Sequence, residues 1–123
     1  QAPASAAEAI AVGRARIAQL AARARDLGKP AFLGEVGWAF HGCPATDPDC
    51  SRAREHLETN DLQKAAALRP LLAQAQREGI EGVFVCRLAE PGQPDWDHYS
   101  ITPSLMPHTA GVLCEAARAR SPG

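Results

Sequence analysis

A carboxylate closes the first apolar strand of this chain, and it constrains the fold more than anything else in the 123 residues. Gly28-Lys29-Pro30 stops a helix, Ala31-Phe32-Leu33-Gly34 runs extended, and Glu35 follows before Val36-Gly37-Trp38. A charge at the C-terminal mouth of a buried parallel strand is costly unless it is solvated, paired or used in chemistry. Glu35 is therefore the first functional candidate. Strand alternation over 31–36 puts Ala31, Leu33 and Glu35 on one side, with Phe32, Gly34 and Val36 on the other.

The segments around this strand repeat a helix-strand order. Ser5 and Glu8 have the spacing of a capping box and open a first helix, whose apolar positions are Ile10, Ile17, Leu20, Ala24 and Leu27. Arg14, Arg16, Arg23 and Arg25 supply its wet side, and Gly28 with Pro30 ends it. The stretch 39–59 is polar and long for a connection, a length that points to function or disorder. Asn60 and Gln63 are expected to open a second helix with Leu62, Leu68, Leu71, Leu72 and Ala75 as its stripe. Pro70 predicts a kink or break there, and Gly79 a stop.

Gly82-Val83-Phe84-Val85-Cys86-Arg87-Leu88 is nearly continuous in apolar character, as a strand buried on both faces should be. An irregular loop over 89–107 carries Trp96, His98 and Tyr99. A last helix is expected from about 108 to 120, with Ser121-Pro122-Gly123 frayed. The fold class is α/β, with two parallel strands joined by a right-handed crossover through the second helix. Two strands cannot close a barrel, and each keeps an unpaired edge.

Composition narrows the function. A formal net charge of −1 gives no electrostatic case for a nucleic-acid or anionic-membrane partner. No apolar run approaches the roughly 20 residues that span a bilayer, and no basic-then-apolar leader precedes the first helix. Cys43 and Cys50 flank a polar loop and could close it with a disulfide, which would suit a secreted or periplasmic compartment. Cys86 and Cys114 lie in apolar surroundings and read as buried thiols. His41, Cys43, Cys50 and His56 are zinc-ligand types, but their spacings miss the short knuckle that preorganises a structural site. Neither a metal nor a cofactor is expected, and there is no phosphate-cradling glycine loop or Ser/His/Asp motif.

Lys29-Pro30-Ala31-Phe32-Leu33-Gly34-Glu35-Val36-Gly37-Trp38 resembles the seventh strand of a clan A retaining glycoside hydrolase, a (β/α)₈ TIM barrel. Asn60-Asp61-Leu62-Gln63 is similar to the opening of that barrel's seventh helix. The segment from Gly82 to Glu90 resembles its eighth strand and exit. His98-Tyr99-Ser100-Ile101, then Pro107-His108-Thr109-Ala110, resemble its closing segment. A full barrel takes roughly 250 residues, so the resemblance implies a C-terminal fragment, the last third to half. The remainder of the barrel would lie N-terminal to Gln1. Two positions depart from the pattern: Cys86 stands where an aromatic floors the sugar site, and Ser100 replaces a glycine.

Retaining glycosidases place two carboxyl groups about 5–5.5 Å apart across the scissile bond, one a nucleophile and one an acid/base. The resemblance implies that Glu35 is the nucleophile, on the barrel-interior face with Leu33, and that a carbohydrate is the substrate. The acid/base belongs to a fourth strand absent from these residues, so the isolated chain is expected to be inactive. Trp38, Trp96, His41 and Tyr99 are candidate sugar contacts through stacking or hydroxyl hydrogen bonds, and His98 is a weaker one. Against this stands packing of either tryptophan as a lid on the core. Glu90 suits an exposed or substrate-gripping place better than the acid role. The rival reading is a non-catalytic α/β module, sugar-binding or assembly-forming, with Glu35 held in a structural ion pair with a residue such as Arg87.

Overall fold

Local chemistry sets the first helix, α1, at Ala6–Leu27: the Ser5 side chain accepts from the Glu8 amide while the Glu8 carboxylate accepts from the Ser5 amide. Gly28 ends it at φ 64°, a left-handed conformation that glycine adopts without a Cβ penalty. The structure, a computed structural model, describes residues 5–90 and 92–120. The expected fraying of Ser121-Pro122-Gly123 lies outside them. Strand β1 follows at Phe32–Val36, then helix α2 at Pro48–Arg52 and helix α3 at Arg54–Arg77. Strand β2 spans Gly82–Val85, and helix α4 spans Pro107–Arg120.

The two strands pair in parallel, as the order of segments predicts. Phe32 faces Gly82, Leu33 faces Val83, and Val36 faces Val85. From Leu33 to Val36 the first strand advances three residues while the second advances two from Val83 to Val85. One extra residue in β1 is a bulge, and a bulge re-aims the side chains beside it.

That bulge corrects the expected facing of Leu33 on the same side as Glu35. Leu33 and Val36 both pack towards the helices, in a cluster with Ile17, Ala21, Leu71, Ala75 and Ile80. Glu35 is exposed and does not share the side of Leu33. The helices cover one sheet face only. Phe32 and Phe84 are 56% and 64% exposed on the other, so β2 is not buried on both faces as its apolar run suggests. It also stops at Val85; Leu88 returns only as an isolated parallel bridge to Ile101.

Helix α3 is the centre of the packing. Its Leu71 and Ala75 meet α1, while Ala65, Leu68 and Leu72 meet Val112 of α4 together with Ile101 and Met106. It begins at Arg54, six residues before the expected start, because 54–59 is polar and carries no apolar stripe to mark it. It also runs unbroken through Pro70. Ala66, whose carbonyl loses its amide partner, belongs to an exposed residue that water can reach. Cys114 is exposed rather than buried. It sits two residues from buried Val112, about 200° around the helix, and so points away from α3.

Candidate active site

Glu35 opens into a cleft of about 540 Å³ shared with Gly37, Cys86, Asp97 and Tyr99. The cleft lies at the C-terminal ends of both strands. Pairing continues past β2, where the Cys86 amide donates to the Val36 carbonyl at 2.7 Å. The chain then turns through a cis peptide between Cys86 and Arg87. Gly37 permits this closeness: a Cβ there would sit 2.8 Å from the Cys86 carbonyl oxygen and 3.0 Å from Cδ1 of Tyr99.

A dense network fixes the segment opposite Glu35. Asp97 Oδ1 accepts from the Tyr99 amide at 2.9 Å and the Ser100 hydroxyl at 3.0 Å. Ser100 Oγ in turn accepts from the Asp97 amide and from Nε of Arg87. Ser100 is thus fully buried and ties Asp97 to Arg87. Arg87 also meets the Asp95 carboxylate at 3.0 Å and that of Asp97 at 3.5 Å. The Arg87 bond holds the Asp95 carboxyl below the usual range. Both Asp97 carboxylate oxygens are thus engaged, Oδ1 by the Tyr99 amide and the Ser100 hydroxyl and Oδ2 by the Arg87 guanidinium.

Lys64 secures the same segment from beneath. Its side chain is fully buried, and its Nζ donates to the His98 carbonyl at 2.7 Å and to Asn60 Oδ1. Burial lowers its pKa to about 8, against the opposing pull of Asp97 and Asp61. Asp61, also buried, accepts from the His108 and Thr109 amides and so caps α4 from a neighbouring helix.

Glu35 stays free in this setting. Among the described residues no basic side chain lies within ion-pairing reach of it, and Arg87, its suggested partner, is held by Asp95 and Asp97. Cys86 lines the same cleft, and burial, then the neighbouring Glu35 carboxylate, push its thiol pKa up.

The other expected site residues separate into distinct places. Tyr99 joins Glu35 in the cleft, 44% exposed. Trp38 and His41 lie together elsewhere, their rings edge to face at 6.0 Å, in a second hollow of about 270 Å³ with Ile10, Gln63, Ala66 and Ala67. Gln63 clamps His41 by bonding both its amide and its carbonyl. Trp96 is buried as a lid, its indole donating to Ser51 Oγ at 2.9 Å. His98 reaches the Pro44 carbonyl at 3.1 Å, and Glu90 is exposed and outside the cleft. Cys43 and Cys50 form a disulfide with their Cα atoms 5.9 Å apart.

Asp97, in the cleft, and Lys64, buried beneath its wall, are the unforeseen residues. The D-x-x-S spacing of Asp97 and Ser100 is a readable side-chain turn signal. Lys64 has a fainter one, since Asn60, Asp61, Lys64, Ala65, Leu68 and Leu72 follow one helical stripe whose first members are polar. No protein-family model matches this chain, and no curated protein or solved structure matches it either.

Proposed function

We propose that this chain is the C-terminal portion of a retaining glycoside hydrolase barrel, acting on a β-linked oligo- or polysaccharide, with Glu35 as nucleophile. The observation that carries the reading is the freedom of Glu35. It is an exposed carboxylate, unpaired by any cation, on a rigid strand end in a cleft whose other carboxylate is already committed. An accessible carboxylate with free lone pairs can reach and attack the anomeric carbon. The bare sheet face with Phe32 and Phe84 agrees with two strands of a barrel whose other strands precede Gln1.

In this reading Glu35 attacks the anomeric carbon and forms a glycosyl-enzyme as the leaving oxygen departs. The proton for that oxygen comes from an acid/base on an earlier strand; Asp97 does not supply it. Cys86 lines the cleft beside Glu35, and Tyr99 offers a ring face and a hydroxyl to the sugar. Trp38 and His41 would contact a sugar only beyond the cleft, and Trp96 holds its loop in place. An oxidising compartment, secreted or periplasmic, suits the disulfide.

The test is Glu35→Gln in the polypeptide that includes the preceding strands. The amide keeps size and some hydrogen bonds but cannot displace the leaving group. Sugar binding should survive while turnover of aryl β-glycosides falls by about 10³-fold or more, the scale of losing a catalytic nucleophile. Activity within a few-fold of the parent would exclude the nucleophile role and favour the non-catalytic module.

A further inference from the structure

We propose that reduction of the Cys43–Cys50 disulfide exposes a divalent-metal site of the zinc type, with Cys43, Cys50 and His56 as its ligands. The sulfur atoms of the two cysteines and a ring nitrogen of His56 all lie within 4.8 Å of one another, and all three residues are half-buried. Zinc bonds of about 2.3 Å to sulfur and about 2.0–2.1 Å to nitrogen bring tetrahedral ligand atoms to within about 4 Å of each other. Small side-chain rotations therefore suffice once the sulfurs separate. Two thiolates and an imidazole are a donor set that zinc favours, with water in the fourth position. His41, the fourth ligand type nearby in sequence, packs against Trp38 and is not part of the group.

The loop is held by more than its disulfide, so its ligands stay near one another after reduction. Asp47 caps α2 by accepting from the Cys50 amide, and its own amide donates to the Pro44 carbonyl at 3.0 Å. Ser51 is buried between Trp96, which donates to its hydroxyl, and Asn60, which donates to its carbonyl. His98 reaches the Pro44 carbonyl from the far side. His56 sits in the first turn of α3, its amide bonded to the Ala53 carbonyl, with Phe40 beside its ring at 5.9 Å. These contacts fix both ends of the loop and the histidine when the S–S bond is cut.

The chemistry balances with a dithiol as reductant. Two electrons and two protons pass from the dithiol to the disulfide, giving two thiols here and a disulfide on the reductant. The metal ion then displaces both thiol protons as it binds, so affinity rises with pH. The loop would thus exchange one cross-link for another when it meets a reducing environment. This site is separate from the Glu35 cleft and does not depend on the glycosidase reading.

The test reduces the 123-residue chain with a dithiol, removes the reductant anaerobically and titrates with Co²⁺. One equivalent should bind with thiolate-to-cobalt charge-transfer absorption, which Zn²⁺ then bleaches; the oxidised chain should show none. With Zn²⁺ bound, alkylation mapped by mass spectrometry should spare Cys43 and Cys50 while Cys86 and Cys114 react. His56→Ala should weaken Co²⁺ binding at least tenfold. Absence of the absorption, protection of Cys86 instead, or unchanged affinity in a folded His56→Ala chain would each overturn the proposal. Should His56→Ala fail to fold, the alkylation map of the unsubstituted chain decides alone.

Discussion

Replacing Lys64 by methionine removes a buried ammonium and keeps most of its aliphatic stem. In the folded chain that ammonium has a pKa of about 8, against 10.5 for a free lysine, because burial disfavours the charged form. The gap corresponds to about 3 kcal/mol of burial cost. The sign follows from proton counts: between the two values the unfolded chain binds more protons, so stability rises with pH. The cost is present in full below the folded pKa and gone above the unfolded one. Relative to Lys64→Met, the parent should therefore gain about 2.5 kcal/mol from about pH 7 to about pH 10. At neutral pH the substitution relieves the buried charge but strips a donor from the His98 carbonyl and Asn60, two opposing effects of similar size. The pH slope is the clean readout. Urea unfolding followed by fluorescence of buried Trp96 measures it in both chains. Parallel stability curves across that range would refute the assignment of Lys64 as a buried, strained cation.

Two further outcomes follow from the packing. Gly37→Ala forces a methyl against the Cys86 carbonyl and the Tyr99 ring, and should cost about 1–3 kcal/mol in urea unfolding; a loss under about 0.5 kcal/mol would mean that the cleft wall yields freely. The isolated chain should associate through its bare sheet face and hydrolyse no aryl β-glycoside; sedimentation should show Phe32→Ser with Phe84→Ser returning it towards monomer. A monomeric parent would instead describe a self-sufficient domain.

The fold was legible where one residue decides the geometry. Ser5 with Glu8 and Gly28 mark α1 because capping and left-handed backbone are local matters. The parallel pairing of β1 and β2 follows from helices between apolar strands. That Leu33 and Glu35 fall on opposite sides was not legible, since a bulge reverses alternation without leaving a signal in Leu33-Gly34-Glu35-Val36. The start of α3 was hidden because Arg54 to Thr59 are helical without being amphipathic. Glu35 could be singled out as a lone carboxylate closing an apolar strand, although the structure leaves it exposed. Its companions could not, because Asp97 and Lys64 look like ordinary surface charges until Arg87, Ser100 and the His98 carbonyl come together around them. Trp96 misleads for the opposite reason: an aromatic in a loop fits a sugar wall or a core lid equally, and only its bond to Ser51 distinguishes them.

As the proposed nucleophile, Glu35 would form a covalent bond to the sugar. A 2-deoxy-2-fluoro β-glycoside bearing a good leaving group slows breakdown of that intermediate, so the glycosyl-enzyme accumulates in the polypeptide carrying the preceding strands. Proteolysis and mass spectrometry then locate the added mass. The account predicts one sugar per chain, on the peptide containing Glu35, and none after Glu35→Gln. Labelling on any other carboxylate, in a chain that hydrolyses the parent glycoside, would contradict it.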